Sequence, residues 1–203
     1  MTDLLSDRIA ARLARRGLVV SESSLWSLSA YLQHLARWNR RVNLTAIPLC
    51  PSVSAAAIDK LLVEPVVATS LLACAPRTWF DLGSGGGSPA IPLRIVWRAG
   101  RLTMVESREK KGAFLRDAVR ELQLASTIVE TCRFEDLATS GSVDLITLRA
   151  VRIDAPLVSL FDSLLAPGGQ ILAFGGSIDS PLFPRVASAD LPDGSLLSLF
   201  RRA

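Results

Sequence analysis

The sequence predicts an α/β fold, in which a mostly parallel sheet with helices on both faces follows an N-terminal helical extension. Three observations support this prediction. Apolar side chains recur at helical spacing up to about residue 75, short apolar segments alternate with helical ones from Thr78 onward, and a glycine-rich turn follows the first of these segments. Such alternation is typical of parallel sheets covered on both faces. We expect residues 1–75 to form a helical segment that packs on a core of residues 76–203, in one compact unit.

The N-terminal segment is predicted to contain two apolar helices after a first helix that carries arginines. The first apolar helix begins after Ser21, a good N-cap, and five side chains at three- and four-residue steps mark its apolar face: Leu25, Leu28, Leu32, Leu35 and Trp38. The second spans Ala55–Ala73. It should bend or break near Pro65, because proline has no N–H to donate within a helix.

Strands and helices are predicted to alternate in the core. The five predicted strands are Thr78–Leu82, Leu102–Glu106, Thr127–Thr131, Val143–Leu148 and Gln170–Phe174. The helices between them are Pro89–Arg98, Glu109–Leu122 and a segment near Ala155–Leu165 that stops at Pro167-Gly168-Gly169. A strand pair near Val186–Leu191 and Ser195–Arg201 follows. Ligands of parallel sheets bind outside the carboxyl ends of the strands, so the glycine turn lies at the expected binding edge.

Composition excludes several classes of protein. The chain has 203 residues, 49% of them hydrophobic and 21% charged, which is typical of a globular protein. It contains neither an apolar run of roughly 18 residues nor a signal-peptide pattern, so we expect a cytoplasmic protein without a membrane partner. Cys50, Cys74 and Cys132 are odd in number and lack metal-ligand spacing. With His34 as the only histidine, we expect no metal site and no triad built on a histidine base.

The glycine turn predicts a nucleoside ligand. Asp81 ends the first strand and precedes the turn of Gly83, Ser84 and Gly85, and Gly87 completes a G-x-G-x-G pattern. The spacing differs from the G-x-G-x-x-G that holds a pyrophosphate. An acid before G-x-G-x-G is instead typical of class I S-adenosylmethionine (SAM) methyltransferases, which have a Rossmann-like fold.

Two further cues fall at the same edge of the predicted sheet. Glu106 ends the second strand, about 20 residues downstream of the glycine turn, where an acid can accept hydrogen bonds from ribose hydroxyls. Nicotinamide enzymes place an acid there as well, so Glu106 indicates a nucleoside without identifying it. Phe134 and Glu135 follow the third strand, where an apolar ring beside an acid could sandwich an adenine and accept its amino protons.

Several segments resemble one known family, the RsmG (also GidB) methyltransferases, which methylate N7 of a guanine in small-subunit ribosomal RNA. The most specific is Trp38–Ile47, with the pattern W-N-x-x-x-N-L-T-A-I, and Asp81–Leu93 follows the glycine motif of the family. Two shorter matches are Ser107…Lys110-Lys111…Phe114-Leu115-Arg116 and Leu148-Arg149-Ala150.

The resemblance implies a SAM-dependent rRNA methyltransferase that needs no metal. It implies a SAM site built from Gly83, Ser88, the Phe134–Glu135 pair and Arg149, with Arg149 as a candidate for positioning rather than for catalysis. Together with Ser84 and Gly85 of the glycine turn and Glu106, which the residue patterns indicate, these form the predicted cofactor site. The implied partner is ribosomal RNA or the small ribosomal subunit. We expect a monomer that binds no DNA.

Departures from the family pattern leave two alternatives open. Ser88 and Ala90 stand where the family usually has a bulky apolar residue and a glycine, and Ile58–Val63 replaces a histidine-led H-F-L-D-S-L block. Gly175-Gly176 stands where the family has K-G. The chain could therefore be a methyltransferase of this fold with another RNA substrate, or a degenerate member that binds SAM or RNA without catalysis.

Three basic clusters could contact RNA phosphates. They are Arg8, Arg12, Arg15 and Arg16 on the first helix; Arg37, Arg40 and Arg41 at the end of the second; and Lys110, Lys111, Arg116 and Arg120 on the helix after Glu106. Solvated helix faces on which acids pair with the basic residues would explain some of them, since Glu109 and Asp117 are neighbours. Two other methyl-transfer chemistries lack support: no Asn-Pro-Pro-aromatic motif follows the fourth strand, and no cysteine is a convincing nucleophile.

Overall fold

Seven strands form one sheet in the computed structural model, which describes residues 4–137 and 142–203. They are β1 (Thr78–Leu82), β2 (Arg101–Val105), β3 (Thr127–Glu130), β4 (Val143–Arg149), β5 (Leu165–Phe174), β6 (Arg185–Asp190) and β7 (Leu196–Arg201). The helices are α1 (Leu4–Ala14), α2 (Glu22–Asn39), α3 (Ala55–Ile58), α4 (Glu64–Val67), α5 (Ala90–Trp97), α6 (Glu109–Glu121) and α7 (Ala155–Leu164). A π-helical turn, Asp59–Val63, joins α3 to α4, and 3₁₀ turns cover Ala68–Leu71 and Phe134–Asp136.

The order of the strands across the sheet is β3-β2-β1-β4-β5-β7-β6. Strands β1 to β5 pair in parallel, whereas β7 pairs antiparallel with both β5 and β6. From β1 the chain adds β2 and then β3 on one side of that strand. It then returns to place β4 on the other side of β1. Connections therefore leave β1 and β4 in opposite directions, and a crevice opens above their carboxyl ends, the usual ligand position in such sheets.

Two apolar cores cover the two faces of the sheet. Trp79 on β1 faces the core built by α1 to α6, whereas Phe80 and Leu82 face the core that contains α7, as the two-residue period of a strand requires. The first core is continuous from Ile9 on α1 through α2, α3 and α4 to the sheet. The N-terminal helices thus share one apolar core with the strands. None of the helices within residues 4–137 and 142–203 is long and apolar enough to cross a membrane.

The predicted fold class is confirmed, and the predicted helices and strands are found with shifted boundaries. Helix α1 ends at Ala14, so Arg15 and Arg16 lie in the following turn rather than on the helix. Strand β5 begins at Leu165 and runs through Pro167-Gly168-Gly169, which we had expected to lie between helix and strand. A register shift between Val143 and Leu145 on β4 accommodates this irregular stretch.

Candidate active site

The glycine turn between β1 and α5 lies in the crevice where the strand order reverses. The N–H groups of Gly83 and Ser84 donate to the carbonyl oxygen of Val105 at 2.9 and 3.0 Å, which ties the turn to the end of β2. Gly83 and Gly87 have φ of 75° and 86°. A Cβ at Gly83 would lie 2.9 Å from Val151 Cγ2, and one at Gly87 2.5 Å from Ile91 Cδ1. A side chain at either position would have a strained backbone conformation, and Val151 or Ile91 would have to move to admit it, so both positions favour glycine.

Asp81 lies beneath this turn and is only 1% exposed. Thr147 Oγ1 on β4 donates to its Oδ1 at 2.5 Å, and Ser84 Oγ donates to its main-chain oxygen at 3.0 Å. Burial raises the pKa of Asp81 from an ordinary value of 3.8 to about 6, although its hydrogen bonds and the charge of Arg149 act in the opposite direction. Among the described residues, none donates to Oδ2 with good geometry. The turn thus rests on a buried carboxyl group with one free acceptor.

Glu106 holds the same turn from the side of β2. Its Oε2 accepts a hydrogen bond from Gly85 N at 2.9 Å, and its Oε1 accepts one from Arg108 N at 2.9 Å. The acid that we expected to face a ribose therefore also fixes the glycine turn and the start of the α6 segment. A carboxylate oxygen can accept more than one hydrogen bond, so this contact leaves capacity for a ligand.

Two adjoining clefts open over the turn. The larger, of about 550 Å³, is lined by six of the predicted site residues: Gly83, Ser84, Gly85, Ser88, Glu106 and Arg149. The smaller, of about 220 Å³, is lined by Phe134 and Glu135 and shares three residues with the larger: Gly83, Glu106 and Ser107. The structure therefore brings all eight predicted residues to one continuous stretch of surface, which we call the paired clefts.

Pro65 shapes the floor of the larger cleft through the π-helical turn that precedes it. Proline lacks an N–H, so Leu61, four residues earlier, keeps a free carbonyl group. In the π-turn the N–H of Glu64 donates to Asp59 O instead of to Lys60 O, which frees the Lys60 carbonyl as well. The predicted break near Pro65 is thus a π-turn within a segment that continues to Leu71.

Ser88 and Arg149 use the two freed carbonyl groups. Ser88 Oγ donates to Leu61 O at 2.9 Å, and Arg149 Nη1 donates to Lys60 O at 2.6 Å. Arg149 Nη1 also lies 3.3 Å from Ser88 Oγ. A hydroxyl at position 88, where the resemblance leads one to expect a bulky apolar side chain, therefore joins the π-turn to the end of β4.

Arg149 is buried in a chain of charged groups that sequence reasoning did not find. Its Nη2 lies 3.1 Å from Oε2 of Glu64, which is fully buried, and its guanidinium lies 4.5 Å from the centroid of the Phe174 ring. Lys60 Nζ lies 3.1 Å from the same Glu64 oxygen and 2.6 Å from Asp193 Oδ2 on the β6–β7 turn. Burial lowers the pKa of Arg149 and raises that of Glu64, while their mutual attraction opposes both shifts. The sequence contains one indication of this buried network: Glu64 is a lone acid within the apolar run Leu61–Val67.

The Trp38–Ile47 segment packs directly on the glycine turn. Asn39 Oδ1 accepts hydrogen bonds from Leu44 N and Thr45 N at 2.9 and 3.0 Å, and its Nδ2 donates to Thr45 O at 3.1 Å. The loop held in this way places Leu44 O 3.1 Å from the position of a Cβ on Gly86. Tyr31 adds a hydrogen bond of 2.7 Å from its hydroxyl to Gly86 O. Leu44 and Thr45 thereby become walls of the larger cleft.

The environment of Cys132 disfavours a role as a nucleophile. Burial raises the pKa of the Cys132 thiol, and the nearby Glu130 and Asp136 raise it further. A thiol reacts as its thiolate, so this environment disfavours nucleophilic attack.

Comparisons with known proteins identify relatives over most of the chain. Residues 24–180 match the GidB family model, described as rRNA small subunit methyltransferase G. A ribosomal RNA small subunit methyltransferase G of Xanthomonas oryzae is 37% identical over 173 residues, covering 84% of this chain and 76% of the relative. One from Stenotrophomonas maltophilia is 40% identical over 168 residues, covering 82% and 74%.

Solved structures with low sequence identity share the fold. A SAM-dependent methyltransferase from Aquifex aeolicus superposes with a TM-score of 0.60 at 12% identity, covering 71% of this chain and 92% of that one. An RNA methyltransferase from Salinibacter ruber, solved with S-adenosyl-L-homocysteine, superposes with a TM-score of 0.52 at 19% identity, covering 62% and 80%. Likeness at this level of identity concerns the fold alone.

Proposed function

The chain belongs to the rRNA small subunit methyltransferase G (GidB) family, and from this membership we propose that it transfers a methyl group from SAM to N7 of a guanine in small-subunit (16S) ribosomal RNA. The observation that carries the proposal is the set of paired clefts, in which the eight residues predicted from the sequence pattern and the family resemblance meet around one glycine turn. We further propose that the protein acts as a cytoplasmic monomer on ribosomal RNA or on the small subunit.

The residues at the clefts fit a nucleoside with a cationic, amino-acid-like tail. Gly85 borders open space, since the nearest atom to a Cβ there would be Gly83 O at 3.7 Å, and Asp81 keeps a buried oxygen without a hydrogen-bond donor among the described residues. We assign Phe134 and Glu135 to the adenine, Glu106 to the ribose, and the turn of Gly83, Ser84 and Gly85 to the remainder of SAM. Ser88 and Arg149 form the inner wall, where we expect them to position the cofactor tail and the target base.

The chemistry requires alignment rather than a general base. When bound, SAM would supply an electrophilic methyl group on a good leaving group. Guanine N7 offers an in-plane lone pair and carries no proton, so no residue needs to remove one. Correct alignment of the reacting groups can contribute about 7–11 kcal/mol to lowering such a barrier. The buried network around Arg149 suits this task, because its hydrogen bonds to Lys60 and Ser88 hold the wall of the cleft in one geometry.

The direct test uses SAM with a labelled methyl group and 16S rRNA or small subunits from a strain that lacks the corresponding gene. We expect label in one guanine, mapped as N7-methylguanine by borohydride and aniline cleavage. Label in another RNA or nucleotide would favour the alternative of a shifted substrate. Binding of SAM without any transfer would favour the non-catalytic alternative, and no binding of SAM at all would refute the proposal.

Binding of SAM to variants tests the assignment of residues. Glu135→Gln should weaken SAM binding severalfold in calorimetry, because Glu135 lines the smaller cleft. Glu130→Gln is the matched control, since Glu130 is an exposed acid at the end of β3 and does not line either cleft. Equal affinities for the two variants would remove Glu135 from the site.

A further inference from the structure

The structure separates the three basic clusters by what their side chains contact. On α1, Arg8 donates to Val53 O at 2.5 Å and Arg12 forms a two-point ion pair with Asp59, so both hold the helix against the segment that contains the π-turn. On α6, Arg116 pairs with Glu109 at 2.8 Å and donates to Thr131 at 2.6 Å. These three arginines are engaged within the fold, whereas Arg15, Arg16 and Lys110 of the same clusters are exposed and form no ion pair with a described residue. Lys111 lines the larger of the paired clefts.

The cluster at the end of α2 lies in a cleft of about 880 Å³. We call it the arginine cleft: it runs between the end of α2 and the second half of α6, and its lining includes Arg37, Arg40, Arg41 and Arg120, with Asp117 and Glu121 as the acids. Arg40 and Arg41 are exposed and form no ion pair with a described residue. Two guanidinium groups are therefore free to bind an anion.

The floor of the arginine cleft is formed by packed aromatic rings, and one of its acids, Asp117, is already paired. Asp117 Oδ2 accepts a hydrogen bond of 3.0 Å from Trp38 Nε1 and lies 3.1 Å from His34 Nε2, while its Oδ1 pairs with Arg120. The rings of His34 and Trp38 pack on Phe114 with centroids 5.6 and 5.8 Å apart. The negative charge of Asp117 is thus balanced locally, and the cleft as a whole is positive.

The arginine cleft adjoins the paired clefts through one short loop. Val42 lines the former, and Leu44 and Thr45 line the latter. The Cα atoms of Val42 and Leu44 can lie at most about 7 Å apart, since consecutive Cα atoms are about 3.8 Å apart. A chain of phosphates seated against Arg40 and Arg41 would therefore lead directly to the proposed methyl-transfer site.

We propose that the arginine cleft binds the phosphate groups of nucleotides that flank the target guanine. The proposal rests on the proposed function and adds to it the surface that receives the RNA. Guanidinium groups present paired N–H donors that match phosphate oxygens. Once Arg120 is paired with Asp117, three arginines face one remaining carboxylate, Glu121, and they provide the positive charge that an RNA backbone requires.

The test compares two double variants with the same change in charge. Arg40→Ala/Arg41→Ala should weaken binding of a 16S rRNA fragment at least tenfold. It should also lower the slope of log affinity against log salt by roughly 1.4–1.8, from about 0.7–0.9 per lost phosphate contact. Arg15→Ala/Arg16→Ala is the control, because these adjacent arginines are also exposed and follow a helix end without ion pairs. Arg40→Lys/Arg41→Lys should restore most of the salt slope.

The outcomes separate this proposal from the proposed function. Equal losses of affinity in the two alanine variants, or an unchanged salt slope, would overturn the arginine cleft, even where the wild type methylates 16S rRNA. If the variants bind RNA as expected but the wild type transfers no methyl group, the arginine cleft would stand as an RNA-binding surface and the proposed reaction would be refuted. Unchanged SAM affinity and melting temperature in both variants are expected, because neither pair touches the paired clefts or the core.

Discussion

At the scale of single residues, Glu64 has the most demanding environment in the described part of the chain. Its side chain is fully buried, yet Arg149 and Lys60 both approach the same carboxylate oxygen at 3.1 Å. Burying an ion pair gives little net stability, whereas removing one partner leaves an uncompensated charge. We infer that Glu64 keeps Arg149 ionised and in place beside the larger cleft.

Replacement of Glu64 tests that inference. Glu64→Gln should lower the free energy of unfolding by about 3 kcal/mol, because Arg149 would lose its buried counter-charge. Asp193→Asn removes the other acid that contacts Lys60, but Asp193 is largely exposed, so it should cost about 1 kcal/mol or less. Urea denaturation measures both, and calorimetry should show weaker SAM binding for Glu64→Gln alone. Equal costs for the two variants would contradict this account.

Asp81 predicts a dependence of stability on pH. Its pKa is about 6 in the folded protein and has an ordinary value of 3.8, so the folded state holds this proton more tightly than the unfolded state between those values. Ionisation of Asp81 therefore costs stability as the pH rises from about 4 to about 6, by about 3 kcal/mol in total, and no more above that range. The Asp81→Asn variant should not lose this stability between about pH 4 and about pH 6, because it has no carboxyl group to ionise. A difference in unfolding free energy between wild type and variant that stays constant from pH 4 to pH 7 would refute it.

At the scale of elements, the π-turn before Pro65 supplies acceptors to two site residues. Pro65→Ala would provide an N–H that can bond to Leu61 O and compete with the hydroxyl of Ser88 for that carbonyl. We expect SAM affinity to fall severalfold while the helix itself forms more readily. Pro156→Ala, in the first turn of α7, is the control. SAM affinities that fall equally in both variants would show that the π-turn has no particular role.

The elements also show how far sequence reasoning reaches. Strand β1, the glycine turn and the cap of α2 at Ser21 were predictable, because their residue types act through local conformation. Strand β5 was predicted too short, since its pairing with β4 overrides the preference of Pro167-Gly168-Gly169 for a turn. Glu64 was missed for a different reason. Apart from the nearby Lys60, its partner is Arg149, which lies far along the chain, and only the tertiary fold brings the two together.

At the scale of the whole molecule, one apolar core joins the N-terminal helices to the sheet. We therefore propose that residues 1–75 and 76–203 unfold together rather than as separate domains. The chain carries reporters on both sides: Trp26 and Trp38 lie on α2, whereas Trp79 and Trp97 lie on β1 and α5.

Urea denaturation of a Trp26→Phe/Trp38→Phe variant isolates the fluorescence of the sheet region. The midpoint of the fluorescence transition should coincide with that of the far-ultraviolet circular dichroism, which follows all the helices, because both report the same cooperative unfolding. Two separated transitions would instead indicate that the N-terminal helices melt independently.

The contact between Leu44 and Gly86 has a consequence for protein engineering. The carbonyl oxygen of Leu44 would lie only 3.1 Å from a Cβ at position 86, so a larger residue there would require the 39–47 loop to shift. Chimeras between this chain and its relatives should therefore exchange residues 39–47 and residues 83–88 as one cassette. A graft of either segment alone would pair a loop with a foreign turn, and we expect such hybrids to express in less soluble form than those that carry both.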